Sequence, residues 1–247
     1  MMIEPPTLPK RSRRAEEIIA VARELTEEIG WESLTMRILA DRVGIKAPSL
    51  YKHTANKDEL RALLTIDSLL NVGYAMWATE HEDGSYRLRD LVMTFRQAAV
   101  SHPELYRLVM TGSISCEALQ KGQWRQLLVE TSQWLNVPLS SIAPNRMIAY
   151  AVWSSAYGLA TLETNRSLDD SDGEATKVWN TLIDVYEPHF EAARKAREND
   201  TSLHAEIDTL HYPLEIIPHP MEDTVGEISP LDGLDFDTPV PFPMPVF

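Results

Sequence analysis

The sequence predicts an all-α fold. A three-helix head containing a helix-turn-helix is joined by a long helix to a larger helical body, and an irregular extension follows. Three observations predict this. Apolar residues recur three and four positions apart through most of residues 12–198, the spacing of one helix face. The breaks between these runs carry helix punctuation: Ser, Thr or Asn before a run, Pro near its start, Gly behind it. No stretch before residue 199 reads as a convincing strand, and no internal repeat is found. Residues 10–57 form the expected head, 58–198 the body and 199–247 the extension.

Residues 1–9 are Pro-rich and expected to lack order. From Ser12 to Ile29, Ile18, Ile19, Ala22, Leu25 and Ile29 share one helical face, and Gly30 ends it. Thr35 is placed to cap a second helix carrying Ile38, Leu39 and Val43, which Gly44 must stop because the chain there needs a positive φ. Pro48 suits the first position of a very short helix, read as Pro48 to His53. Asn56 caps the next, with Glu59 three residues on in the capping-box position. That helix is expected to run from Lys57 to about Glu80, with Gly73 inside it marking either close packing or a bend. HEDGS (His81 to Ser85) reads as a loop. Further helices are expected at Tyr86–Ser101, from Pro103 to a stop at Gly112, at Glu117–Leu135, at Pro144–Thr164 and at Asp172–Glu198. NVPLSSIAPN reads as a connection because of its Pro, Ser and Asn content.

The polar residues of the head point to duplex DNA. Lys46, Ser49, Tyr51, Lys52, His53 and Lys57 crowd a short helix and its flanks, the arrangement a major groove accepts. Ser49 and Lys46 are expected to reach base edges by hydrogen bonds to purine acceptors. Ala47 and Pro48 offer apolar surface to a thymine methyl, unless they only set the turn. Tyr51 can place its hydroxyl on a phosphate while its ring packs below, and Lys52 and His53 suit the backbone. Thr35 and Arg37 offer an amide, a hydroxyl and a cation to a phosphate. Lys57 opens a helix, where the dipole disfavours a cation; a nearby phosphate removes that penalty. Before them stands KRSRR, whose Lys10, Arg11, Arg13 and Arg14 are expected to reach a phosphate or an adjacent minor groove.

The words LTMRILADRV, GIKAPSLYKH and NKDEL resemble the DNA-binding segment of the tetracycline-repressor (TetR) family of bacterial transcription regulators. Thr54 stands where that family usually has an aromatic residue. In the body, HPELYRLVM followed by AVWSSAYGLATLE resembles the regulatory domain of a TetR subgroup named for a Trp-His-Gly signature. Trp153 and Gly158 fit that signature, and Tyr157 replaces the His. The resemblance implies a homodimer built from the helix pair 144–164 and 172–198, with Ser155, Gly158 and Ala160 allowing close approach. It also implies a small apolar or aromatic effector. Aromatics at helical spacing are most often core; the resemblance turns Trp77, Phe95, Tyr106, Met110, Trp124, Trp153 and Tyr157 into candidate cavity lining.

Charge is divided unevenly. Residues 1–57 carry +2, residues 58–197 carry −5, and residues 198–247 carry −11, so the net −14 is mostly a property of the extension. Phosphate affinity follows local cations rather than the whole-chain sum. The extension holds eight of the 16 prolines and ends in PVPFPMPVF, which excludes a helix and favours extended chain. It is read as disordered or loosely docked, with its acidic part folding back on Lys46, Lys52 and KRSRR as a sharper reading. No apolar run reaches the roughly 18 residues a bilayer needs, and residues 1–10 lack a signal peptide's apolar segment. Cys116 stands alone. A cytoplasmic protein is therefore expected.

Enzymatic motifs are missing from the sequence: no Gly-rich phosphate loop, no Cys/His pair at zinc spacing, no nucleophile elbow. His204, Glu206, Asp208 and His211 have ligand chemistry but no scaffold, so neither a metal nor a cofactor is expected. The expected function is a ligand-responsive repressor, homodimeric, on a near-palindromic operator. The alternative is a helical co-regulator working through protein contacts of its extension.

Overall fold

Why the head folds as it does is visible at its helix ends. The computed structural model describes residues 4–116, 118–120 and 122–199, and every regular element among them is a helix. Helix α1 (Arg13–Ile29) starts where the Ser12 hydroxyl accepts the Ala15 amide at 3.2 Å. Helix α2 (Met36–Val43) starts where Thr35 does the same for Ile38, also at 3.2 Å. Gly44 stops α2 in the left-handed region at φ 75°, ψ 34°, a conformation costly for any residue with a Cβ. Helix α3 is a single turn, Ala47–Leu50, with Lys46 in the N-cap position and Pro48 inside the first turn. It is shorter than the sequence suggests, since the chain from Tyr51 to His53 continues as turn rather than helix.

Asn56 caps α4 (Lys57–Trp77) by accepting the Glu59 amide at 2.7 Å. The Glu59 carboxylate reaches back to the Ala55 amide at 2.5 Å, one residue before the usual capping-box target. At 21 residues α4 is about 31 Å long. It ends at Ala78 rather than near Glu80.

Helix α4 serves two cores. Leu60, Leu63 and Leu64 pack with Ile18, Leu25, Leu39 and Leu50 of the head, whereas Ile66, Leu69, Leu70 and Met76 pack in the body. The body comprises α5 (Leu88–Ser101), α6 (Pro103–Ser115), α7 (Gly122–Ile142), α8 (Arg146–Thr164) and α9 (Glu174–Asn199), with a 3₁₀ turn at Ala118–Gln120. Leu105 and Leu108 of α6 enter the head core, and Glu27 of α1 accepts the Leu105 amide at 2.8 Å. In the body, α4 packs along α7 and α6, α5 lies on α8, and α8 pairs with α9. Arg96 fastens three of these elements. It donates to Glu163 at 2.6 Å, to Asp170 at 2.9 Å and to Thr176 at 2.8 Å, while the Trp179 indole adds a 2.7 Å bond to Glu163.

Two helices run further than expected. Helix α6 passes through Gly112 to Ser115, so that glycine does not end it. Helix α7 passes through Pro138, and NVPLSSI is helical rather than a connection. Proline supplies no N–H, which leaves the Trp134 carbonyl without its partner one turn on. The Trp77 indole N–H donates to that carbonyl at 3.1 Å, and the two indoles stack 5.8 Å apart. Past Pro138, the Ser141 and Ala143 carbonyls each accept an Arg197 N–H at 2.7 Å. Gly73 marks close packing rather than a bend: a Cβ there would run into the Trp134 ring. The extension, with its proposed acidic fold-back and its His and acidic residues, lies outside the described residues. Among the described residues, no helix is long and apolar enough to cross a membrane.

Candidate nucleic-acid interface

The short α3 is pinned from beneath and open above. Leu50 is fully buried in the head core. The chain after it is tightened by bonds from the His53 amide to the Leu50 carbonyl, 2.9 Å, and from the Ile45 amide to the Ala40 carbonyl before it, also 2.9 Å. Thr54 is buried, and its hydroxyl donates to the Asn56 carbonyl at 3.1 Å, so a small polar residue locks the step between α3 and α4. With the backbone held, Lys46, Pro48, Tyr51 and Lys52 stand exposed, and Ala47, Ser49 and His53 are half-exposed beside them. Thr35 and Arg37 are exposed at the start of α2. Charged and hydroxyl donors left free above a fixed helix are what a groove of stacked bases and phosphates requires.

Lys57 has a second occupation. Its ammonium donates to the Trp31 carbonyl at 3.0 Å and lies 4.7 Å from the centre of the Trp31 ring. Burial holds its pKa below the ordinary lysine value. The carbonyl and the ring face therefore answer part of the penalty for a cation at a helix start, and an ammonium still has two further N–H donors for a phosphate.

The KRSRR cluster divides. Arg14 pairs with Glu17 at 2.6 Å and donates to the Val43 carbonyl at 3.3 Å. Arg11 turns inward to Asp67 of α4 at 3.7 Å. Of the cluster's four cations, Lys10 and Arg13 are exposed and Arg11 and Arg14 half-buried.

Residues 18–64 match the family of bacterial regulatory proteins known as tetR. The N-terminal segment is a TetR-family helix-turn-helix. The chain is 34% identical over 91 residues to the class G tetracycline repressor of Vibrio anguillarum, a match covering 37% of this chain and 43% of that one. It is 29% identical over 171 residues to an uncharacterised helix-turn-helix-type transcriptional regulator of Mycobacterium tuberculosis, covering 65% of this chain and 74% of that one. The chain thus spans less than half the length of the tetracycline repressors it matches, 43% and 42% for classes G and C. A solved structure of a protein of unknown function from Rhodococcus sp. RHA1 shares the fold, with TM-score 0.59 at 18% identity over 74% of this chain and 98% of that one.

Behind the TetR head, the candidate ligand residues fall into separate groups. Phe95 touches the rings of Trp153, Tyr157 and Tyr106, with centroids 5.3, 5.7 and 6.4 Å away. The Tyr106 hydroxyl donates to the Tyr157 carbonyl at 3.1 Å, and burial pushes its pKa up to about 12. Burial likewise raises Tyr157, which fills core space where the subgroup signature has a histidine. Trp77 stands apart with Trp134, and Met110 and Trp124 are half-buried at the edge of the core. Two surface clefts are lined by other residues. One, of about 470 Å³, lies between the end of α4 and α5, where His81 and Asp90 meet at 2.9 Å. Sequence reasoning passed over it, since a loop histidine and an acidic residue nine positions later carry no motif.

The three small residues expected at a dimer face also separate. Ala160 is fully buried in the protomer's own core, which removes it from any outer surface. Ser155 is half-buried and returns its hydroxyl to the Ala151 carbonyl at 2.8 Å. Gly158 alone is open, with nothing within 4 Å of where a Cβ would stand.

Proposed function

We propose that the protein is a DNA-binding transcriptional regulator, a ligand-responsive repressor acting as a homodimer on a near-palindromic operator. The observation that carries this reading is a TetR-type head whose α3 offers Lys46, Ser49 and Lys52 outward while Leu50 anchors it from below. Side chains at Lys46 and Ser49 read base edges; Thr35, Arg37, Tyr51, Lys52, His53 and Lys57 hold phosphates; Ala47 and Pro48 supply the apolar contact.

The dimer reading is supported by apolar side chains that α8 and α9 leave in water. Met147 is 70% exposed, Val185 59% and Leu162 47%, and Gly158 lies on the same face of α8 as Met147 and Leu162. Apolar stripes of this kind mark surfaces that associate. Two copies joined there would set their α3 helices about 34–36 Å apart, in successive major grooves. An apolar or aromatic effector would enter the body near half-buried Met110 and Trp124, at the edge of the core that holds Phe95, Tyr106, Trp153 and Tyr157. Because α4 belongs to both cores, rearrangement around that cluster would tilt the head. Each 1.4 kcal/mol of such coupling changes operator affinity about tenfold. Trp153 and Gly158 support placing the body with the Trp-His-Gly subgroup.

The test is a salt titration of duplex binding with DNA flanking the protein's own gene. Affinity should fall steeply with salt, and Lys57→Ala should weaken binding to every sequence and flatten the slope by roughly one unit. A slope unchanged by Lys57→Ala removes that phosphate contact. Loss of binding to every fragment at low salt favours a co-regulator that works through protein contacts.

A further inference from the structure

Residues before α1 do not point away from the molecule. Leu8 packs against the body core, and Leu8 to Arg11 form one wall of a cleft of about 430 Å³ whose other wall is Glu16, Ile19, Ala20 and Arg23 of α1, closed by Asp67 of α4. The arm therefore folds back along α1 toward the body. At the bottom of the cleft one carboxylate serves two guanidiniums: Asp67 pairs with Arg23 and, at 3.7 Å, with Arg11. The Arg11 side chain is 14% exposed and that of Asp67 21%, so this is a sheltered pair rather than a solvated one. Yet Nε and Nη2 of Arg11 are buried with no acceptor among the described residues. The clasp uses one edge of the guanidinium, where a phosphate would satisfy two N–H groups side by side. At its other end the arm begins beside the turn that leads into α3, because Arg14 reaches the Val43 carbonyl.

We propose that Asp67 is a positioning residue that withholds Arg11 from DNA, keeping the basic arm folded along the head–body seam and setting how strongly the protein holds phosphates of any sequence. The Asp67 carboxylate draws the arm in, while Arg23, the closer of its two partners, competes for it and keeps the hold on Arg11 weak enough for release. Movement of α4 relative to α1 changes the distance between Asp67 and the arm, which ties non-specific affinity to the same helix that carries the effector's signal.

The DNA half of this proposal rests on the proposed function; the clasp itself does not. Asp67→Asn keeps the shape of the side chain and removes its charge. In the full chain it should speed tryptic cleavage within residues 10–14 several-fold, with thermal melting showing the fold retained. It should also steepen the salt dependence of binding to a non-operator duplex by about 0.9 in log–log slope, one more phosphate neutralised. Arg11→Gln alone should leave the wild-type slope where it is, and in the Asp67→Asn background it should cancel the gain. Cleavage unchanged by Asp67→Asn overturns the clasp. A slope lowered by Arg11→Gln alone shows Arg11 already on DNA and overturns the withholding role. Absence of duplex binding by every variant sinks the repressor reading and the DNA half together, while cleavage still decides the clasp.

Discussion

The head and the body spend their side chains in opposite ways. Around α3 the polar groups are left free above a small apolar support, with Leu50 beneath and Lys46, Ser49 and Lys52 open. In the body two polar side chains tie helices together from within: Arg96 is shared among Glu163, Asp170 and Thr176, and Tyr106 is spent on Tyr157 and Thr161. A surface that must recognise a charged polymer cannot satisfy its donors at home. A scaffold that holds one shape gains by satisfying its buried groups, since a buried polar group without a partner costs about 1–3 kcal/mol. Substitutions in the body should therefore be read out as unfolding, and those around α3 as binding.

The sharpest way to break that contrast is at Arg96. Its side chain is 12% exposed and that of Glu163 8%. Arg96→Met leaves a buried carboxylate uncompensated and should cost about 3–5 kcal/mol in urea unfolding. A cost below 1 kcal/mol would mean water reaches the network and the body is less closed than described. Next is Gly73→Ala. By helix propensity alone it should stabilise α4 by roughly 1 kcal/mol. Because the new methyl meets the Trp134 ring, it should instead destabilise by about 1–3 kcal/mol, which a shift in the same unfolding midpoint would reveal. Smallest in stability and aimed at the other region is Ser49→Ala. It should move unfolding by no more than about 0.5 kcal/mol. Discrimination between operator and single-base variants should change by about 1 kcal/mol or more. Unaltered discrimination would take Ser49 off the base edges.

How much of this was legible in the sequence follows from how local each determinant is. Ser12, Thr35, Gly44 and Asn56 act within three or four residues of themselves, and the structure has each where its chemistry requires. Pro138 misled because its remedy is remote: the donor that accepts the role of the missing N–H is Trp77, 57 residues earlier. Gly112 misled for a simpler reason, since a glycine ends a helix only when the chain needs positive φ there, and α6 continues past it. Ala160 and Gly158 lie two positions apart on α8 and so face different directions, a distinction that a count of small residues ignores. Arg11 looked like Lys10 and Arg13 in composition. Only the fold brings Asp67 of α4 beneath it, with Arg23 already attached.

The pair formed by Trp77 and Trp134 gives the molecule an optical signature of its own. Two indoles 5.8 Å apart and within 12° of parallel do not absorb as isolated chromophores; their transitions mix, and the near-ultraviolet circular dichroism carries the sign and strength of that mixing. One ring belongs to α4 and the other to α7, so any sliding between those helices alters the coupling before a label is ever attached. If the proposed effector slides α4 against α7, the protein's own spectrum would report it, with Trp77→Phe as the blank.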